Sequence, residues 1–241
     1  MYSTMKITCI IPAAGKGLRL GGTIPKQYLR IDKIMILEHA VHSLFKGISA
    51  YPIDEYACIV ACDIDWFDTV QDILDRSGFE HMNAIVQGGE ERKDSINAAF
   101  HHPLVQDSDL ILIHDAARPF VPIDIIKNLI DQSLIHGACI PILASKDTMK
   151  IVQENAVVET IPRDVLFSAQ TPQVFSYNLY KHALDLHHNT SVYTDDASLF
   201  ELCKLPVYTV DGNEIMMKIT TKQDLKVAEY LYSSMDIYNG E

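Results

Sequence analysis

The segment Ala13-Ala14-Gly15-Lys16-Gly17-Leu18-Arg19-Leu20-Gly21-Gly22, running on to Pro25-Lys26-Gln27, sets glycines and cations close together. Small residues let a ligand approach the backbone, and successive N–H groups form a concave anion nest. The chemistry that suits such a segment is the holding of a phosphate chain. It is not a P-loop, because GxxxxGK[ST] is absent, and GxGxxxG replaces the dinucleotide pattern GxGxxG. A surface loop with solvated charges is the plain alternative. A second cluster, Gln87-Gly88-Gly89-Glu90-Glu91-Arg92-Lys93-Asp94-Ser95, puts paired glycines ahead of a helical run. Exposed N–H groups there suit a base or a ribose, while ordinary capping, with acids at the positive end of the helix dipole, explains the same residues. A third, His114-Asp115-Ala116-Ala117-Arg118-Pro119, offers an Asp suited to Mg²⁺ and an Arg suited to a two-pronged anion contact. An Asp–Arg salt bridge in a turn is the alternative.

Further candidates are scattered: Asp147-Thr148, Arg163, Thr171-Pro172-Gln173, Thr194-Asp195-Asp196 and Lys218-Ile219-Thr220. Hydroxyl and cation together suit a phosphorylated substrate, although each also serves as a cap, a turn or a strand edge. Thr194-Asp195-Asp196 reads as an N-cap ahead of a helix. The pairs His101-His102 and His187-His188 are adjacent, so neither shares a helical face, and zinc is not expected.

The elements that must position these residues follow from hydrophobic periodicity. Strands are expected at 6–13, 56–61, 83–87, 110–113 and 138–143, with helices at 35–45, 64–76, 90–101 and 122–136 between them. Such alternation implies right-handed crossovers and a mostly parallel sheet, and near-continuous apolar strands imply burial on both faces. Ligands of such sheets bind beyond the carboxyl ends of the strands, where the glycine and charge clusters fall. After Ser145 the alternation breaks. Two β-type runs, 147–153 and 156–161, meet at Glu154-Asn155, a hairpin turn. Helices at 176–188, 197–205 and 222–232 and strands near 207–210 and 215–219 complete the chain. The fold expected is α/β, a Rossmann-like three-layer sandwich with a mostly parallel sheet and a β-hairpin arm insertion. It forms one domain over residues 1–241, with the arm at 146–162.

Composition narrows the functions. A chain of 241 residues buries a sizeable core without staples. Net charge is −12, with 32 Asp and Glu against 20 Lys and Arg, which argues against a broad nucleic-acid surface but not against a small phosphate ligand. Five cysteines without a CxxC pair read as buried thiols rather than a disulfide framework. No apolar run is long enough for a membrane helix, and the start lacks a secretory pattern, so a cytoplasmic location is expected.

The motifs AAGKGLRL, PKQYL, GGEERKDS, HDAARPF, DTMK, QTPQVF, TDDAS and KIT resemble, in order and approximate spacing, the 2-C-methyl-D-erythritol 4-phosphate cytidylyltransferase family, nucleotidyltransferases of glycosyltransferase-A-like fold. The resemblance spans Ile7 to about Leu231. Leu20 stands where Met is common, Leu18 where a second Arg often stands, and Met217 where Asn or Ile is frequent; none of these removes a charge that the chemistry requires. The resemblance implies CTP and a sugar-alcohol phosphate as substrates, Mg²⁺ as the ion, and in-line attack of a phosphate oxygen on the α-phosphorus with loss of pyrophosphate. It implies Arg19, Lys26 and Lys218 as the catalytic cations, with Ala13, Ala14, Gly15, Lys16 and Gly17 lining the nucleotide. Gly89, Glu90 and Ser95 would meet its base or ribose, and Asp115 the ion and the substrate. Arg118, Thr148, Arg163, Thr171, Thr194 and Thr220 would bind or frame the second substrate. It further implies a homodimer through the arm, with Arg163 or Thr148 entering the partner's site. A ribitol-5-phosphate cytidylyltransferase and a non-catalytic nucleotide-binding regulator are the competing readings.

Overall fold

The structure is a computed structural model that describes residues 5–16, 24–79, 82–187 and 193–238. Its first half is a run of parallel units. Strands β1 (Lys6–Pro12), β4 (Glu55–Cys62), β5 (Asn83–Gln87) and β6 (Leu110–Ile113) are interleaved with helices α1 (Ile36–Ser49), α2 (Phe67–Asp75), α3 (Arg92–Phe100) and α4 (Ile123–His136). A small antiparallel pair, β2 (Arg30–Ile31) and β3 (Ile34–Met35), precedes α1. The second half adds β7 (Ala138–Ala144), the hairpin β8 (Met149–Gln153) and β9 (Ala156–Ile161), then β10 (Phe167–Ala169) and β11 (Gln173–Ser176). Helices α5 (Tyr177–His187) and α6 (Asp196–Leu202), strand β12 (Tyr208–Asp211) and helix α7 (Lys222–Tyr238) follow.

The strands explain the layers. Along β1, Ile7, Cys9 and Ile11 join a core with residues of α1, α2 and α4, while Ile10 joins a second core with α3, α5 and α6. β6 divides the same way, Leu110 and Leu112 to one side and Ile111 and Ile113 to the other. This is the period of two expected of a strand buried on both faces. Each fully buried Ile or Leu contributes about 1.5–3 kcal/mol, so both helical layers are held by the same strands. Cys9, Cys58, Cys62 and Cys139 are buried within this core.

The sheet order is β10-β7-β11-β6-β1-β4-β5, with β12 also paired to β7. β1 pairs in parallel with β4 and β6, β4 with β5, and β12 with β7. β11 runs antiparallel to both β6 and β7, and β10 antiparallel to β7. The sheet is therefore mixed, with a mostly parallel core. The sequence reading missed β10 and β11, which are short and run without turn signals into their neighbours. It also expected a strand near 215–219. A 3₁₀ turn at Glu214–Met216 stands there instead, started by Asn213, whose side chain accepts from the Ile215 N–H at 3.0 Å. The helix expected from Ile64 begins as a 3₁₀ turn because the Asp63 side chain caps the Asp65 N–H at 3.1 Å.

Between β8 and β9 the turn residues Glu154 and Asn155 have φ of 48° and 64°. That left-handed pair matches the twist of a two-residue hairpin. The hairpin projects from the sheet with its residues exposed, Val152 at 55% and Val157 at 63%.

Candidate active site

The strand ends are tied to one another before any ligand arrives. The Ala13 N–H donates to the Ala61 carbonyl at 2.7 Å, Gly88 to Cys62 at 2.8 Å, and His114 to Ile10 at 3.0 Å. These bonds bring the segments after β1, β5 and β6 around one cleft of about 460 Å³. Gly88 is required by close approach, since a Cβ there would overlap that of Ala14. Gln27, almost wholly buried, reaches back to the exit of β1, its amide donating to the Ala13 carbonyl at 2.5 Å and to Gly15 at 2.9 Å. The turn after β5 is closed by Ser95, whose hydroxyl accepts from the Gly89 N–H at 3.1 Å.

Asp115 is the electrostatic centre. Its Oδ1 accepts from Arg92 Nε at 3.0 Å and its Oδ2 from Lys218 Nζ at 2.8 Å, with Arg118 Nε 3.6 Å from Oδ2. Burial alone would raise the carboxyl pKa, but the charges of Arg92, Lys218 and Arg118 outweigh it and hold the group well below the usual carboxylate range. Arg92 continues to a second acid, Asp196, through Nη1 at 2.7 Å. Arg118 donates from Nη1 to the Met216 carbonyl at 2.7 Å, and the Ile219 N–H donates to Ala117 at 2.9 Å. Those bonds fasten the Lys218 segment beside Asp115. Lys26 Nζ donates to the Ile219 carbonyl at 3.0 Å, so Lys26 and Lys218 enter the cleft from opposite sides of one residue.

His114 holds the loop from beneath. Its Nε2–H donates to the Arg118 carbonyl at 2.9 Å, which leaves Nδ1 to accept the Thr171 hydroxyl at 3.0 Å. The Thr171 oxygen in turn accepts the Asp115 N–H at 3.0 Å. Burial lowers the His114 pKa from 6.5 to about 4, so the ring is neutral, as this pattern requires.

Of the residues expected at the site, Ala13, Ala14, Gly15, Lys16, Lys26, Gly89, Glu90, Ser95, Asp115, Lys218 and Thr220 line this cleft. Gly17 and Arg19 lie outside the described residues. Arg118 and Thr171 lie behind Asp115 and act on it rather than on open space. The Thr220 hydroxyl donates to Asp224 at 2.7 Å, at the start of α7. Thr194 is exposed beside the N-terminus of α6, where Asp195 is the cap residue, its side chain accepting from the Ser198 N–H at 3.0 Å. Thr148 and Arg163 are exposed at the base of the hairpin and do not line the cleft. Arg92, Asp196 and Gln27 fall inside the sequence clusters, but their spacing gave no sign of the parts they play here. For Arg92 a signal existed: it is the first residue of α3, where the helix dipole disfavours a cation, so a tertiary partner had to compensate.

Sheet and cleft together make an α/β protein with a cation-lined site at its strand ends, suited to a phosphorylated ligand. The profile of IspD, 2-C-methyl-D-erythritol 4-phosphate cytidylyltransferase, matches residues 7–234, and the chain belongs to that family. The 2-C-methyl-D-erythritol 4-phosphate cytidylyltransferase of Alkaliphilus oremlandii (strain OhILAs) is 38% identical over 232 residues, covering 95% of this chain and 96% of that protein. The enzyme of the same name from Clostridium botulinum (strain Okra / Type B1) is 38% identical over 236 residues, covering 95% and 99%. Among solved structures, 4-diphosphocytidyl-2C-methyl-D-erythritol synthase from Anaerococcus prevotii DSM 20548 superposes with a TM-score of 0.79 at 29% identity, covering 95% of this chain and 99% of its own. The corresponding cytidylyltransferase of Thermus thermophilus gives 0.76 at 27% identity, covering 94% and 98%.

Proposed function

We propose that this chain transfers a cytidylyl group from CTP to 2-C-methyl-D-erythritol 4-phosphate, a step of non-mevalonate isoprenoid synthesis. A phosphate oxygen of the acceptor bonds to the α-phosphorus, the bond from that phosphorus to the β-phosphate oxygen breaks, and pyrophosphate leaves. The product is 4-diphosphocytidyl-2-C-methyl-D-erythritol. The observation that carries the reading is the convergence of Lys26 and Lys218 beside Asp115, in the cleft lined by the exit of β1. Two anions must meet there, so catalysis consists of positioning and charge neutralisation, with no protein nucleophile.

In this reading Lys26 and Arg19 hold the triphosphate and the charge that grows in the transition state. Lys218 exchanges its Asp115 partner for the α-phosphate. Ala13, Ala14, Gly15, Lys16 and Gly17 line the triphosphate, and Gly89, Glu90 and Ser95 receive cytosine and ribose. Asp115, Thr194 and Thr220 frame the acceptor, with Arg118 and Thr171 holding Asp115 in place behind it. Mg²⁺ takes one or two carboxylates and otherwise water and phosphate oxygens. Among the described residues no group of three metal-ligating side chains exists, and both Asp115 oxygens already accept from cations. An ion that arrives with the nucleotide would take Asp115 as its carboxylate only as Lys218 leaves that group for the α-phosphate. Bound so, the ion would neutralise triphosphate charge.

The chain works in this proposal as one nucleotidyltransferase domain in the cytoplasm. Residues 146–162 form a dimerisation arm that delivers Arg163 or Thr148 to the partner's site. The exposed valines of the arm support this, as two strands cannot bury both faces alone. No described helix is long and apolar enough to cross a membrane.

A coupled pyrophosphate-release assay with methylerythritol phosphate and ribitol 5-phosphate tests the reaction. Release with the former alone is expected; preference for the latter, or CTP binding without turnover on either, overturns it. Mixing Lys26→Ala and Arg163→Ala subunits tests the shared site, with partial activity expected in the heterodimer and none if each chain works alone.

A further inference from the structure

Asp196 is the first residue of α6 and fully buried, and it does not line the cleft. Both its oxygens are engaged. Oδ2 accepts from Arg92 Nη1 at 2.7 Å, and Oδ1 accepts from the Tyr180 hydroxyl at 2.7 Å. A carboxylate at the start of a helix is favourable, but the capping work of α6 is done by Asp195. Nor does a buried ion pair by itself explain retention of the charge, because apolar replacements of such pairs are often as stable. What Asp196 controls is Arg92. That side chain carries several rotatable bonds and stands at the edge of the cleft. Its third nitrogen, Nη2, is buried with no hydrogen-bond partner, so the guanidinium plane is set by the bonds of Nε and Nη1. Asp115 holds the first of these and Asp196 the second. A line of three side chains thus runs from α6, through the start of α3, to the loop after β6.

We propose that Asp196 is a positioning residue: acting through Arg92, it fixes the orientation of the Asp115 carboxylate toward Lys218 and the acceptor side of the cleft. Asp115 Oδ1 is then committed to Arg92, and Oδ2 is the oxygen left to face Lys218 and the substrate side. The kinetic consequence rests on the cytidylyl transfer proposed above. The geometric consequence does not, and is read in the free protein.

Asp196→Asn keeps the volume and an acceptor for Tyr180 but removes the charge that anchors Nη1. In the ¹⁵N NMR spectrum of the free protein, the Arg92 Nε–H, assigned by its loss in Arg92→Lys, is expected to exchange with solvent about tenfold faster in Asp196→Asn. In the full reaction the KM for methylerythritol phosphate rises about tenfold, while the KM for CTP stays within about twofold. Asp115→Asn combined with Asp196→Asn is no worse than Asp115→Asn alone, because Asp196 acts through Asp115. Tyr180→Phe lowers the melting temperature without moving either KM.

Unchanged exchange in Asp196→Asn overturns the proposal, as do effects that multiply in the double variant. If Asp196→Asn does not fold, Arg92→Lys decides through the same two KM values, since a point charge cannot span both carboxylates; equal loss on both substrates overturns it. If the wild-type protein transfers nothing to methylerythritol phosphate, the functional reading fails, and the exchange measurement still judges Asp196.

Discussion

The Asp115 cluster and the β8–β9 arm are built on opposite plans. Around Asp115, charged side chains from distant segments are drawn together, and each meets a counter-charge. In the arm, apolar groups are left in water with only a cross-strand neighbour, as Val152 has in Val157. Burying a charge is tolerable only when it is paired, and exposing an apolar strand face is tolerable only when something covers it. The cluster is thus complete within one chain, whereas in the proposed dimer the arm is half of an arrangement. The contrast also explains how a protein of net charge −12 receives anions. Three of its cations, Arg92, Arg118 and Lys218, are gathered by tertiary contacts onto one acid.

The contrast can be broken at either end. Lys26→Ala removes a preorganised charge from the cleft and is expected to raise the barrier by about 3–4 kcal/mol, read as a fall in kcat of roughly a hundredfold to a thousandfold. Near-normal turnover would take Lys26 out of the mechanism. Asp115→Asn leaves Arg92 and Lys218 without their common acceptor and should cost about 3 kcal/mol of stability in urea titrations. At the other end, Val152→Lys with Val157→Glu replaces a directly opposed apolar pair by an opposed charge pair. The hairpin is kept and its apolar cover removed. At about 1.5 kcal/mol for each buried valine, the dissociation constant of the proposed dimer should rise roughly a hundredfold for each of its two arms in sedimentation experiments, with little change in melting temperature.

Acid supplies the mildest probe, and it acts on the cluster alone. The folded pKa of His114 is depressed to about 4 from 6.5, so the unfolded chain takes up a proton that the folded one refuses. The stability present above pH 6.5 is lost as pH falls toward 4, by about 2 kcal/mol at pH 5. The depressed pKa of Asp115 extends the loss further into acid. Urea midpoints at pH 7 and pH 5 should differ accordingly, and His114→Asn should flatten the slope between them. The arm variant should leave that slope unchanged.

Much of this was legible in the residues. The runs of β1, β4 and β6 are mostly apolar because both faces are covered, so their positions needed no knowledge of partners. The glycine and charge clusters fell at the strand ends, where the cleft lies. The Glu154-Asn155 turn carried its own signature. What could not be read was the pairing across distance. Nothing local in Gln173–Ser176 says that it slots between two strands, and nothing in Asp196 says that it meets Arg92, 104 positions away. The Thr171 hydroxyl reads as a substrate contact in the sequence, yet its oxygen is engaged by His114 and the Asp115 backbone. Such groups act by supporting their neighbours, and spacing alone does not reveal support.

The place of β11 has a bearing on how the molecule is made. β6 and β7 follow each other along the chain, yet β11, emerging some thirty residues after β7 begins, lies between them. A nascent chain that has left the ribosome as far as Ala169 holds two ribbons with an empty slot between, and only the next few residues fill it. Until then the edges of both stand open to any extended peptide nearby. Premature termination after the arm should therefore yield a sticky, protease-sensitive fragment rather than a smaller working protein.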